Sequence, residues 1–469
     1  MFARARSVVP TRSFVRYASS GHPKILVVGG GTGGVTVAAQ LQRAFKAEGR
    51  ALGEGDIAII EPAKTHHYQP GWTLVGAGLQ PLSKMNKPMS AVIPAGVEHF
   101  ATSVATFQPE KNQVTTSDGS TISCVPFLDL FMAITVLMQE HDVNSYDFLV
   151  VAPGLKINFD GIKGLNEGLA DPNGPVSSIY SVDSVEKVWK NIQALKKGTA
   201  IFTQPAGIIK RSSGWRVRLL DALSDAESQW RKDGVRDQVS PVFATGAPTM
   251  FGVPKYSAAL EKLRQERNVE GAFNHNLVSI DNKARVATFA TADGKTAERE
   301  FDFLHVVPPQ TSPDFVKNSP LADAAGWVAV DPATTQSTKF NNIFSLGDAS
   351  SMPNSKTAAA ISSQAPVLVD NLRATMDGIA KEALPGKYDG YASCPLLTGH
   401  NELMLAEFKY GGVPKETFAP YLGSQDKPNA FYYYLKKDFF PFVYWNSFVK
   451  GTWFGTNAWV RPINYMHSA

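Results

Sequence analysis

The chain has 469 residues, 43% hydrophobic and 19% charged, enough for more than one core and too apolar for a disordered polymer. A net charge of +4 is compatible with an acidic membrane surface and gives no argument for nucleic acid as a partner. Two cysteines, Cys124 and Cys394, exclude a disulfide framework and a cysteine-built metal cluster, leaving redox or nucleophilic chemistry for any functional thiol.

Residues 1–22 carry Arg4, Arg6, Arg12 and Arg16 among small, apolar and hydroxylated residues, and no acid precedes Glu48. This basic, acid-poor composition is that of a mitochondrial transit peptide, so the fold is expected to begin near residue 23. Residues 24–28 (KILVV) have the apolar, β-branched character of a buried parallel strand. Gly29-Gly30-Gly31-Thr32-Gly33-Gly34 follows, then the helical pattern VTVAAQLQRAF. In the frame Gly29, Gly31, Gly34 the first glycine turns the chain and the second admits a pyrophosphate. The third lets the helix approach the strand, and Thr32 and Gly33 stand at its start. A second strand over 56–60 (DIAII) ends in Glu61, where an acid accepts ribose hydroxyls.

Further along, residues 148–154 (FLVVAPG) predict a strand ending at Gly154. Residues 199–203 (TAIFT) open a second unit, followed by Gln204-Pro205-Ala206-Gly207 in place of a glycine fingerprint. A pyrophosphate would meet side chains and a proline without an N–H, so electrons are expected from a small reductant and not from NADH. Residues 343–348 (IFSLGD) end a late strand in Gly347-Asp348. Lys356 then precedes a helix over 357–369 that carries Gln364.

The ordered motifs resemble the flavoprotein disulfide reductase superfamily. The resemblance implies FAD held by Gly29, Gly31, Thr32, Gly33, Gly34, Glu61, Gly154, Gly347 and Asp348, with the aspartate at the ribityl and pyrophosphate end. It also implies that the backbone at Val104 reads the adenine edge. Longer stretches resemble the mitochondrial sulfide:quinone oxidoreductase family: residues 67–70 (HYQP), 71–78 (GWTLVGAG), 92–98 (VIPAGVE), 355–360 (SKTAAA) and 388–396 (YDGYASCPL). This likeness covers most of the chain from residue 24 onward. It implies that hydrogen sulfide gives electrons to FAD through a pair of redox cysteines, one matching Cys394, and that ubiquinone takes them up. The sulfane sulfur would leave on an acceptor such as sulfite or glutathione. Gln69 would approach the cofactor, and Lys356 and Gln364 would lie beside the flavin. His66 and His67 read as local structural residues.

Two segments depart from the family. The partner cysteine belongs after Ile209 in a Lys-Cys-Ala-Gly-Ala-Pro pattern, where this chain has Lys210-Arg211-Ser212-Ser213-Gly214-Trp215-Arg216. An apolar stretch over 124–144, unmatched in the family, interrupts what should be a β-connection. They read as a retained intron and, over 211–228, a displaced splice junction. The alternative is a real surface-binding helix in a member that has lost the sulfur step.

Residues 431–454 are dense in aromatics with Lys436, Lys437 and Lys450 among them, a composition suited to the bilayer interface. The expected architecture is α/β: two Rossmann-like three-layer dinucleotide-binding domains and a C-terminal membrane-associated segment. The bounds are 1–22 transit peptide, 23–164 and 305–389 FAD domain, 165–304 NAD-like domain, and 390–469 redox-cysteine and quinone segment. The expected place is the matrix side of the mitochondrial inner membrane, attached without a spanning helix. An NADH-type quinone reductase and a membrane-attached flavoprotein without turnover are the alternatives. Sequencing the mature transcript is expected to show a message without codons 124–144 and with a cysteine codon after Lys210; a message that encodes both segments as given would end the splicing explanation.

Overall fold

The computed structural model describes residues 23–50, 52–119, 121–122, 143–144, 146–206, 214–463 and 465. The transit peptide, Cys124 with nearly all of the 124–144 insert, and Arg211 lie outside these residues. The first unit is a five-stranded parallel sheet ordered Ile343–Ser345, Phe148–Val151, Ile25–Val28, Ile57–Ile60, Glu98–Phe100. Its central strand is buried along its whole length, which explains the unbroken apolar run in the sequence. Two helices, Thr32–Ala47 and Ala358–Met376, pack against one another in this unit. A smaller sheet of Val104–Gln108, Gln113–Thr116, Thr121–Ile122 and Val143–Asn144 lies alongside, so the last residues of the insert pair with the strand that precedes it.

The second unit repeats the parallel architecture in the order Val176–Ser177, Phe303–Val306, Gly198–Gln204, Val239–Thr245, Glu270–Phe273. An antiparallel sheet of His275–Asp281, Val286–Thr291 and Thr296–Glu300 packs beside it. The FAD domain was expected to resume at residue 305; residues 305 and 306 instead end strand Phe303–Val306, which pairs inside the second sheet. The return comes at Gln310–Thr311, which pairs antiparallel with Lys156–Ile157 as the two strands cross between units.

Helix Gly214–Lys232 follows strand Gly198–Gln204 and buries Leu220, Leu223, Ala226 and Trp230. The Trp230 indole N–H donates to the Ile192 carbonyl at 3.0 Å. From Leu220 onward the segment is therefore built into the core.

The chain closes with an antiparallel sheet of Ala392–Gly399, Glu402–Lys409 and Val413–Pro414. A continuous helix then runs from Ala430 to Phe448, with wide π turns at Leu435–Phe439 and Tyr444–Phe448. The expectation of an outward aromatic face holds for half of it. Phe431, Tyr434 and Phe442 are 45%, 52% and 60% exposed, whereas Tyr432, Tyr433, Tyr444, Trp445 and Phe448 are buried. Among the described residues no helix is long and apolar enough to cross a membrane.

Replacing Trp230 with Ala should cost about 3–5 kcal/mol of stability, measured by denaturant unfolding, because it empties a fully buried site and orphans the Ile192 carbonyl. A change below about 0.5 kcal/mol, the size of an ordinary surface substitution, would show that the helix is not part of the native core.

Candidate active site

The strand ends of the first sheet meet at the glycine loop. Gly29 has φ +101°, and a Cβ there would lie 2.4 Å from the Ala152 carbonyl oxygen. A Cβ on Gly34 would sit 1.9 Å from the Gly29 carbonyl oxygen, so the helix can approach the turn only without a side chain. Gly31 and Gly154 behave oppositely: an added Cβ would meet nothing within 4 Å at either. The loop thus has a packed underside and an open upper face, with Gly31 as the N-cap of a 16-residue helix lacking any side-chain cap. First-turn N–H groups beside open space form a cradle for an anionic group, and the site fits a dinucleotide pyrophosphate. Glu61 reaches the loop from the neighbouring strand end, accepting from Gly30 N and Ala63 N at 2.8 Å each.

On the other side of the strand ends, Gly347 (φ +67°) turns the late strand into a short 3₁₀ turn, Gly347–Ala349, that presents Asp348. Its N–H donates to Gln364 Oε1 at 2.9 Å, and its carbonyl accepts from Lys356 Nζ at 3.2 Å. Lys356 also donates to the Ser350 carbonyl at 2.6 Å and the Met352 carbonyl at 3.4 Å. It is 5% exposed, and burial lowers its pKa to about 8, with Asp348 and Asp323 opposing. Lys356 and Gln364 were expected beside the flavin. In this structure they brace the loop that bears Asp348, since a buried ammonium takes the nearest carbonyl oxygens.

Cys394 stands on strand Ala392–Gly399, fully buried, with Sγ 3.8 Å from Ser355 Oγ, one residue before Lys356. Burial pushes its thiol up to about 12; the Ser355 hydroxyl and Lys436 act downward and Asp221 upward. Two side chains hold the strand here. Lys436 donates to the Pro395 carbonyl at 2.8 Å and pairs with Asp221, which accepts the Leu397 N–H at 2.6 Å. Lys436 was expected at the headgroup level; the helix turns it inward to this pair instead.

Sequence reasoning missed a second contact of the C-terminal helix. Tyr444 Oη lies 2.7 Å from Thr32 Oγ1 and 2.7 Å from His66 Nε2, and His66 Nδ1 lies 2.9 Å from the Gly30 carbonyl. Burial lowers the His66 pKa to about 4, so the ring is neutral at pH 7. A carbonyl can only accept, which puts the single ring proton on Nδ1. Tyr444 must then donate to Nε2 and accept from Thr32. The dense aromatics of the segment were the one available signal, with no local pattern to say which ring turns inward.

Gly29, Gly31, Thr32, Gly33, Gly34, Glu61 and Gly154 converge at one end of the sheet, with Gly347, Asp348 and Lys356 on the adjoining loop, Gln364 on the helix after it and Cys394 on strand Ala392–Gly399. Gln69 is exposed in the turn Gln69–Gly71. Val104 is buried on the separate antiparallel sheet, paired with Thr116. Neither is brought into the cluster by a side-chain contact.

The sulfide:quinone oxidoreductase of Schizosaccharomyces pombe mitochondria is 42% identical over 462 residues, 95% of this chain and 94% of that protein. This chain belongs to the mitochondrial sulfide:quinone oxidoreductases. The Dictyostelium discoideum member is 43% identical over 442 residues, 94% of this chain and 89% of its own. No family model matches the sequence. Among solved structures, a chain in the Tetrahymena thermophila mitochondrial ATP synthase superimposes with TM-score 0.75 at 21% identity, covering 96% of this chain and all of that one. The Aquifex aeolicus sulfide:quinone oxidoreductase gives 0.66 at 19%, covering 90% and 92%. These likenesses establish the fold, and family membership makes the chain a flavoprotein-type oxidoreductase.

The buried neutral His66 sets an acid limit. In the unfolded chain it takes a proton near pH 6.5, in the fold only near 4, so stability is intact above 6.5 and falls as pH drops through that window. The loss should reach about 3 kcal/mol at pH 4. The acid side of a stability-against-pH curve is expected to flatten in His66→Gln, and an unchanged slope would show that His66 does not titrate in this window.

Proposed function

We propose that the chain oxidises hydrogen sulfide to sulfane sulfur and delivers the electrons through FAD to ubiquinone, at the matrix face of the inner membrane. The observation that carries this reading is the placement of Cys394, whose Sγ adjoins Ser355 on the same loop that Lys356 fastens to Gly347. The redox thiol and the second nucleotide-binding turn therefore form one rigid piece. The family's name and the mitochondrial relatives support the donor, the acceptor and the compartment.

The residues present fit FAD. The N–H groups at Gly31, Thr32 and Gly33 would hold its pyrophosphate, Glu61 a ribose, and Asp348 the ribityl end. When bound, FAD supplies a two-electron carrier that links thiol chemistry to a quinone. The protein's own part is to position sulfur. Ser355 orients the Cys394 sulfur, and Lys436 with Asp221 fixes the strand that bears it. The thiol is neutral in this setting, so its reactive form needs a positive charge brought near or a partner sulfur that takes its proton's place. The family's second cysteine would stand after Lys210, where this chain has Arg211; Cys124 and Cys394 are its two cysteines. Sulfite or glutathione is the proposed acceptor of the sulfane sulfur, each being a sulfur nucleophile.

Anaerobic addition of sulfide to the FAD-loaded chain is expected to bleach the flavin, and a short-chain ubiquinone to restore it. Cys394→Ala should remove sulfide bleaching by at least about a thousandfold in rate, the scale lost with a nucleophile, while dithionite still reduces the flavin. Bleaching by dithionite alone in the unmodified chain would overturn the sulfide reading and favour a flavoprotein without turnover. Restoring Lys-Cys-Ala-Gly-Ala-Pro after Ile209 then separates a lost function from a faulty sequence.

A further inference from the structure

The helix Ala430–Phe448 and the loop around residues 80–87 enclose an open groove of about 400 Å³ on the surface. Its floor is the Trp445 ring, whose indole N–H donates to the Lys84 carbonyl at 3.1 Å and locks the loop against the helix. Around it stand Lys84, Lys87 and Lys437, with Asp438 as the one carboxylate and Phe442 at the lip. Lys84 Nζ reaches only the Gln80 side-chain oxygen at 3.1 Å, and Lys87 Nζ lies 4.8 Å from the Trp445 ring centroid. Among the described residues neither forms an ion pair. Lys437 is 3.5 Å from Asp438, which leaves the groove with two positive charges to spare.

We infer that this groove binds the phosphate headgroup of an anionic phospholipid at the bilayer surface. The inference rests on the membrane-attached reading above and adds to it a headgroup preference and an address. Three ammonium groups from two chain segments converge on a space the size of a phosphate with its glycerol. Phe442, 60% exposed, and Pro441 beside it project where acyl chains would begin. Trp445 sits at the boundary between them, as an amphipathic ring does at the headgroup level. A quinone ring carries no charge and would leave the ammonium groups unmatched. The neighbouring Lys436 takes no part, being spent inside the fold on Asp221.

Flotation with vesicles of phosphatidylcholine, alone or doped with phosphatidylglycerol, tests this on the FAD-loaded chain. The unmodified chain should bind doped vesicles more tightly, and Lys84→Gln, Lys87→Gln and Lys437→Gln should each weaken that binding roughly fivefold. None should alter binding to phosphatidylcholine alone. The corresponding arginine substitutions should keep the preference, and Lys262→Gln, Lys283→Gln and Lys295→Gln, exposed on the second unit, should not change it. Equal binding to both vesicle types, or equal loss in both lysine sets, overturns the headgroup site while leaving membrane attachment standing. Failure to bind either vesicle overturns both together.

Discussion

A Cβ at residue 34 would have to occupy the space already filled by the Gly29 carbonyl oxygen. From that exclusion follows the position of helix Thr32–Ala47, pressed against the turn with its N-terminus level with the strand ends. The same placement leaves room above Gly31 and Gly154, and it sets Thr32 where Tyr444 can reach it. A helix held even one methyl further out would close neither contact. The second turn, at Gly347, is secured differently: by side chains from the helix and loop that follow it, Gln364 on its N–H and Lys356 on its carbonyl. One half of the cradle is fixed by backbone sterics and the other by buried polar groups.

Buried charge shapes the sulfur side as well. Strand Ala392–Gly399 has a strand partner along one edge, Glu402–Lys409. On its other edge the Pro395 carbonyl and Leu397 N–H would face an apolar interior unpaired, and Lys436 with Asp221 supplies both partners. A buried ion pair of this kind adds little net stability, because desolvation offsets attraction. Its yield here is position: it fixes the backbone on either side of the cysteine. Asp225, one turn further on the same helix, has no partner for Oδ2, and burial and Asp221 hold its carboxyl well above the usual range. At Cys394 the two members of the ion pair oppose one another, Asp221 raising and Lys436 lowering the pKa of the thiol.

What was legible in the sequence was what depends on local backbone rules. The glycine turn, the strand before it, the acid after the second strand and the late Gly347-Asp348 turn each follow from near neighbours, and each lies where the pattern put it. Residues whose roles depend on distant partners were read less well. Lys356 at a helix start read as a charge beside the flavin, with no sign that three carbonyl oxygens of its own loop also hold its ammonium. The bound at 304/305 fell inside strand Phe303–Val306, since a strand of four residues carries no mark of which sheet it joins. His66 and Tyr444 are 378 residues apart, and nothing near either one announces the pair.

The C-terminal helix shows why composition alone misassigned half its face. Adjacent residues on a helix differ by about 100° in direction, and a π turn shifts the sequence against the regular spacing. Lys436 and Lys437 fall in such a turn and point apart, one to Asp221 beneath the cysteine strand, the other to the surface groove. Tyr444 and Trp445 divide in the same way in the next turn, one to the glycine loop and the other to the groove floor. A single helix therefore touches the dinucleotide cradle, the thiol strand and the outer groove. Any load placed on Lys437 or Phe442 from outside is carried by the same backbone that sets Lys436 and Tyr444 within. Tyr444 alone makes two hydrogen bonds, a buried one to His66 and a part-buried one to Thr32, each worth about 1 kcal/mol, so the helix cannot shift without disturbing the cradle. The residues of the outer groove and the residues that brace the glycine loop and the Cys394 strand are held in one fixed relation because they share three turns of one helix.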